Sequence, residues 1–256
     1  MNKNKISFQI YTARNFKPYE NIFKFLSKQG LQNVELFEVE AFNETKDLLE
    51  KYNLTAQSSH IGFDNLKDTK NIISSLQKLN VKHAIVPCPV GKPGGKFEEI
   101  FVKNEEEWHH FGKELASYVK IFEDNGITLG YHNHAFEFNM LPSGKMPIEC
   151  ILEHNEKLKY EIDIGWVVAG KADPIFWIKK FASRIISCHL KDFSSPDKNL
   201  INHDSQCAIG NGFIDWESIL YEIKKTNCEI LALEHDDPKD YKDYTLRSIN
   251  NLRDIK

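Results

Sequence analysis

Short runs rich in β-branched and aromatic residues alternate with amphipathic helical stretches along the whole chain, and several of these runs finish on His, Asp or Glu. Ile6–Tyr11, Asn33–Phe37, Leu54–His60, Lys82–Pro87, Ile127–His132, Leu158–Asp163, Arg184–Leu190 and Glu229–Glu234 read as eight strands. Helices between successive strands specify a parallel sheet, because parallel strands need crossover connections. Eight β-then-α units in 256 residues match the size of one closed (β/α)8 barrel. An open doubly wound sheet is the competing reading, but no GxGxxG turn follows the first strand, which runs on through Ile10-Tyr11-Thr12-Ala13-Arg14. The expectation is α/β, with residues 1–256 forming a single (β/α)8 TIM-barrel domain.

Local signals punctuate the helices. Tyr19–Gln29 carries Ile22, Phe23, Phe25 and Leu26 and stops at Gly30, a residue suited to the left-handed turn after a helix. Asn104 with Glu107 spells a cap and its reciprocal acid. Trp108, Phe111, Leu115, Val119 and Phe122 then recur every three or four residues until Gly126. Asp173-Pro174 opens another helix, with Pro where its missing N–H is harmless. Segments 44–52, 68–79, 147–154, 216–226 and 239–253 complete the helical set. Segments 87–97 and 191–212 read as loops.

A formal net charge of -4 argues against a general nucleic-acid binder, which would show a basic face. The five cysteines are scattered and contain no CxxC pair, the usage of reduced thiols in a cytoplasmic protein. Met1 to Lys5 is polar and carries no leader pattern, and no apolar run reaches the length of a membrane span.

The strand ends carry the chemistry. Asp163 closes Tyr160-Glu161-Ile162-Asp163, His189 lies near the end of the seventh strand, and Glu234 closes Leu231-Ala232-Leu233-Glu234. His132 and His134 share parity at the end of the fifth strand, so both face one side if the strand continues that far. Imidazoles and carboxylates from several strands suit one Mn, Zn, Co or Fe(II) ion. Taken singly each has a plainer reading: Asp163 as a turn or cap residue, His189 as a packed, hydrogen-bonded histidine, Glu234 as the partner of a cation such as Lys191. Their coincidence at equivalent strand ends favours a site, since barrels build their chemistry there. His60 ends its own strand and can bind a substrate hydroxyl. Lys191 lies two residues past His189, on the same face. Glu35 sits between apolar residues and needs a partner, either this site or Arg14. Trp166 and Phe193 can wall a sugar ring.

These residues resemble a known family. Gly130-Tyr131-His132-Asn133-His134-Ala135-Phe136-Glu137-Phe138 looks like the HNHxxEF segment of the xylose-isomerase-like sugar phosphate isomerase/epimerase superfamily. Asp163-Ile164-Gly165-Trp166 is similar to its DxxW segment, and His189-Leu190-Lys191-Asp192 to its HLKD segment. Gly210-Asn211-Gly212 with Ile214-Asp215-Trp216 resembles its GxGxIDW segment, and Glu234-His235-Asp236 its last strand. The resemblance covers essentially the whole chain. It implies a metal-dependent barrel whose ion is held by Glu, Asp, His and Glu from strands five to eight. Asp163, His189 and Glu234 match the last three of these, and His132 stands where many members have Glu. Glu137 lies near enough in sequence to take over the base or ligand role of that missing acid.

The function implied is isomerisation or epimerisation of a sugar, keto-sugar or sugar phosphate through a metal-stabilised enediolate. Glu234, His132 or His134 would act as the base, and His60, Lys191, Trp166 and Glu35 would hold the substrate. Dehydration of a keto-sugar or keto-inositol passes through the same intermediate and is the alternative. Two rivals complete the set: a metal-free sugar-binding barrel, and an abasic-site endonuclease, which the acidic balance disfavours. The partner expected is a small carbohydrate, with no nucleic acid and no membrane; homo-oligomers are implied by family likeness alone.

Overall fold

The structure is a computed structural model and describes residues 5–37, 42–89, 104–197, 201 and 203–255. Eight parallel strands close into a barrel: β1 (Ile6–Gln9), β2 (Asn33–Phe37), β3 (Thr55–His60), β4 (His83–Val86), β5 (Thr128–His132), β6 (Lys159–Asp163), β7 (Ile185–Leu190) and, last in the chain, Ile230–Leu233. Two further short strands, β8 (Asp192–Phe193) and β9 (Gln206–Cys207), pair antiparallel within the long loop after β7, so the closing barrel strand is β10. Each strand pairs with its sequence neighbour, and β10 pairs with β1, which leaves no open edge.

The helices are α1 (Tyr19–Lys28), α2 (Phe42–Tyr52), α3 (Thr69–Lys78), α4 (Glu105–Asp124), α5 (Pro147–Leu152), α6 (Ile164–Ala169), α7 (Pro174–Lys180), α8 (Trp216–Ile223) and α9 (Tyr241–Asp254). Four of them return to the barrel by one device. After α1, α2, α3 and α4 comes a residue with φ between 52° and 81°, namely Gly30, Asn53, Asn80 and Gly126. The next amide bonds back five residues, as in Leu31 N–H to Leu26 C=O at 3.2 Å and Ile127 N–H to Phe122 C=O at 3.0 Å. This arrangement satisfies the last helical carbonyls and aims the chain into the following strand. The Asn104–Glu107 capping box forms at the start of α4, with bonds of 2.9 and 3.0 Å. Asp173 caps α7 through the Ile175 amide.

The described elements depart from expectation in two places. A short helix, α6, starts immediately after β6, where the sequence pattern predicts only a turn. The first strand ends at Gln9, and Ile10–Ala13 forms a 3-10 turn. The Pro- and Gly-rich loop expected over 87–97 lies mostly outside the described residues. All five cysteines are free thiols. Among the described residues no helix is long and apolar enough to cross a membrane.

The core is two-layered. Apolar residues of the strands' outer faces meet the helices; Tyr131, for example, packs edge-on against Phe111 of α4. The inner faces carry Gln9, Glu35, His60, His132, Glu161, Asp163 and His189, all buried. Burial of so many polar groups is tolerable only if they satisfy one another, and that requirement defines the site.

Candidate active site

Register places the central residues side by side. His132 of β5 pairs with Glu161 of β6, and Asp163 of β6 pairs with His189 of β7. Glu35 on β2 lies beside Gln9 of β1 and Ser58 of β3, and both donate to its carboxylate. Register therefore sets polar side chains of neighbouring strands beside one another.

Two connected clusters result. Toward the mouth, ligand atoms of His132, Asp163, His189 and Glu234 lie within 4.8 Å of one another. His189 Nδ1 is 2.9 Å from Glu234 Oε2 and 4.0 Å from Asp163 Oδ2. Lys191, fully buried, reaches the same carboxylates: its Nζ is 3.0 Å from Glu234, 3.6 Å from Asp163 and 2.7 Å from Asp236. Deeper in the barrel, His60 Nε2, His132 Nδ1 and His189 Nε2 stand 2.7, 3.1 and 3.0 Å from Glu161 Oε1. His189 Nε2 also touches Glu35. His189 thus joins the clusters, one ring nitrogen facing each.

Charge follows from these contacts. Burial alone would depress Lys191, but Asp236, Glu234 and Asp163 outweigh it and raise its pKa. Burial would raise Glu234; Lys191 and His189 instead hold it well below the usual carboxylate range. Asp163 is pushed up to about 7, because burial outweighs the pull of Lys191 and Glu234 adds repulsion. Of the two neighbouring deep carboxylates, Glu161 carries the charge. Burial opposes its ionisation, but His189 and the hydrogen bonds from His132, His189 and His60 prevail, whereas burial and the charge on Glu161 raise Glu35. His132 is lowered to about 4, mainly by burial, and is a neutral imidazole. Burial likewise lowers His134 well below its ordinary value, reinforced by the neighbouring His132 and Lys191.

The two carboxylate oxygens of Asp163 have different surroundings. One carboxylate oxygen caps α6 through the Trp166 amide at 2.8 Å. The other, Oδ2, is buried without a hydrogen bond. The mixed imidazole and carboxylate donors and this orphaned oxygen fit a divalent cation. Asp163, His189, Glu234 and His132 would hold it.

The remaining expected residues fall as follows. His134 lies beyond the end of β5, so strand parity does not place it. Its ring stacks on Phe136 at 5.5 Å, 5.1 Å from the His132 ring and 6.0 Å from Trp166. Trp166 lies under the Lys191 ammonium at 4.7 Å and beside Phe193, as a wall requires. His60 stacks on His189. Glu35 joins the site and not Arg14, whose guanidinium binds the carbonyls of Tyr11 and Asp236. The expectation for Glu137 is corrected: it is neither near the donor atoms nor at the mouth. The 3-10 turn Phe136–Phe138 rolls it back against the helix layer, where it accepts from the Tyr131 hydroxyl and the His134 amide. Burial there pushes its pKa up to about 8.

Sequence reasoning overlooked Glu161, Asp236 and Gln206. Glu161 had a signal, since it precedes Asp163 by two residues and must share its face. Gln206 and Asp236 exchange side-chain and backbone hydrogen bonds, which fixes Asp236 against Lys191. They meet only through the fold of two loops. Asp192, next to Lys191, has a structural task. Its Oδ2 accepts from the amides of Gly210 and Gly212 and from the Trp216 indole, and a Cβ at Gly212 would sit 2.1 Å from its other oxygen. A surface crevice between α2 and α3, lined by Leu49, Thr55 and Lys82, shares no residue with the site.

A closed (β/α)8 barrel with buried histidines and carboxylates at the C-terminal ends of its strands is the class of protein these observations define. The chain belongs to the xylose isomerase-like TIM barrel family, whose model matches residues 18–255. Among curated proteins it is similar to an inosose dehydratase from Clostridium perfringens, 26% identical over 157 residues, covering 56% of this chain and 52% of that protein. The chain thus matches about half the length of such relatives. Among solved structures, a sugar phosphate isomerase/epimerase from Parabacteroides distasonis superposes with a TM-score of 0.79 at 18% identity, over 98% of this chain and 99% of that one. The IolI protein with a bound zinc atom superposes with a TM-score of 0.76 at 14% identity, over 98% and 97%.

Proposed function

We propose that this protein is a metal-dependent enzyme that removes a proton from the carbon beside a carbonyl of a sugar, keto-sugar or keto-inositol. The observation that carries the reading is the convergence of His132, Asp163, His189 and Glu234 at the barrel mouth, with Asp163 Oδ2 left without a hydrogen bond. A divalent ion held there would supply positive charge opposite the developing oxyanion, a contribution of several kcal/mol.

The chain's own groups do the rest. His134, whose ring lies 5.1 Å from that of His132 and 6.0 Å from that of Trp166, takes the α proton, worth about 10²–10⁴-fold as a placed base. Glu234, tied to Lys191 and His189, is better suited to holding the ion than to moving protons. Lys191 donates toward substrate oxygens from a fixed position, and Trp166 with Phe193 covers the apolar face of the ring. Return of the proton at another carbon or face gives isomerisation or epimerisation. Loss of a β-hydroxyl gives dehydration, a second outcome favoured by the similarity to inosose dehydratases.

Metal-loaded protein incubated in D2O with a panel of keto-sugars and keto-inositols tests the reading. Deuterium should enter the α position of at least one compound, detected by NMR, and His134→Asn should lower the exchange by at least about 10²-fold. Absence of exchange across the panel refutes the chemistry.

A further inference from the structure

We infer that Glu161 is a positioning residue that fixes the ring and tautomer of His132, leaving His132 Nε2 as the nitrogen offered to the ion. The inference rests on the metal-binding reading above and deepens it.

One oxygen, Glu161 Oε1, is the meeting point of three imidazoles: His60 Nε2 at 2.7 Å, His132 Nδ1 at 3.1 Å and His189 Nε2 at 3.0 Å. One oxygen can carry at most one hydrogen, so an oxygen met by three ring nitrogens serves chiefly as their acceptor. With Nδ1–H committed to Glu161, the lone pair of His132 is on Nε2. His189 differs: acids face both of its nitrogens, Glu161 and Glu35 at Nε2 and Glu234 at Nδ1, 2.9 Å away, so Glu161 alone does not set its tautomer. A carboxylate behind each ligating imidazole fixes the ring orientation and makes the other nitrogen a better donor.

Glu161 is distinguished from Glu35 by its reach. Glu35 contacts His189 and His60, has Gln9 and Ser58 as further donors, and does not touch His132. Among the described residues Glu161 is the one acid hydrogen-bonded to His132, through the oxygen that also meets His60 and His189. Its second oxygen is buried without a hydrogen bond, so no other group fixes the carboxylate. The register pairing of His132 with Glu161 makes this contact a product of the barrel itself, not of a mobile loop.

The test uses full-length protein with 15N-labelled histidine. Protonated and bare ring nitrogens resonate far apart, so the tautomer of each ring is read directly, without metal and without turnover. Wild-type His132 should appear as a neutral ring with hydrogen on Nδ1, and Glu161→Gln should lose this single tautomer. In parallel, zinc titrations should show about 10–100-fold weaker binding in Glu161→Gln. X-ray absorption of the saturated variant should still count two imidazoles on the ion. Wild-type His132 carrying its hydrogen on Nε2, or a variant that keeps both tautomer and affinity, overturns the inference. So does complete loss of the ion in Glu161→Gln while Glu234→Gln retains it, because Glu161 would then be a ligand. If wild-type protein binds no ion at all, the proposed function falls, while the tautomer spectrum still decides the part played by Glu161. The wild-type spectrum decides it even if the variant does not fold.

Discussion

Lys191→Met is the most revealing single change, because it removes the one permanent cation that contacts three buried acids. The ammonium is fully buried, 2.7 Å from Asp236, 3.0 Å from Glu234 and 3.6 Å from Asp163. At an effective dielectric constant of about 20, an ion pair at such a distance is worth roughly 5–6 kcal/mol before desolvation. Desolvation cancels much of this, but deleting one partner strands the other charges, and the net loss expected is about 3–5 kcal/mol. Met matches the aliphatic stem, so little of the loss comes from a cavity. For a chain of this size the melting temperature should fall by roughly 2–4 °C per kcal/mol.

The pH dependence has a definite sign. In the wild type the folded-state pKa of Lys191 is raised, so its contribution is complete at any pH below the unfolded value of about 10.4 and is flat from pH 5 to 8. In the variant the three acids lose their cation: the folded pKa of Asp163, already about 7, moves further up, and that of Glu234 rises from its lowered position. Their cost is therefore absent at low pH and appears as pH rises through the carboxylate range. Urea denaturation followed by tryptophan fluorescence should show a deficit larger at pH 8 than at pH 5. A divalent ion should recover part of it, since ligand binding to the folded state stabilises in proportion to the logarithm of occupancy. A deficit under about 1 kcal/mol at pH 8, or one that shrinks as pH rises, refutes the reasoning.

Glu137 offers an independent test on the outer face of the barrel wall. Its folded pKa of about 8 lies above the unfolded value, so the folded state binds the extra proton between about pH 4.5 and 8 and wild-type stability falls across that window. Glu137→Gln keeps the neutral shape, and its denaturation midpoint relative to wild type should climb from pH 5 to 9; a parallel pair of curves would show that Glu137 is already ionised. Gly165 abuts Lys191, and an added Cβ would lie 2.7 Å from both Lys191 Cβ and the Lys191 carbonyl oxygen. Gly165→Ala should therefore cost about 1–3 kcal/mol despite the better helix propensity of Ala, measured by thermal denaturation. A neutral or stabilising outcome would mean that β7 can shift away from α6.

The barrel was legible because its signals are local and repeated. Strand-type runs, Gly30 and Gly126 as stops, the Asn104–Glu107 box and Asp173-Pro174 each depend on neighbours within a few residues. Asp163, His189 and Glu234 were legible for the same reason, as polar ends of apolar strands, and the structure brings them together with His132. Strand parity stops being informative once a strand ends. It placed His132 but not His134, and the turn at residues 136–138 carried Glu137 to the outer face, away from the role suggested by its sequence proximity. The hold of Gln206 on Asp236, and of Asp236 on Lys191, joins residues 30 and 45 positions apart through loop geometry that no periodicity encodes. Glu161 is the instructive omission. Its parity was readable, but its importance depends on three histidines from three other strands, which only the closed barrel brings to one oxygen.

Elemental analysis of purified wild-type protein beside Asp163→Asn tests the central claim most directly. Asn caps a helix as well as Asp does, so α6 should survive the change while the buried anionic donor is lost. The account predicts about one Mn, Zn, Co or Fe ion per chain in the wild type and near-complete loss in the variant with its fold intact. Equal metal content in the two proteins, or none in the wild type after incubation with each of those ions, would contradict it.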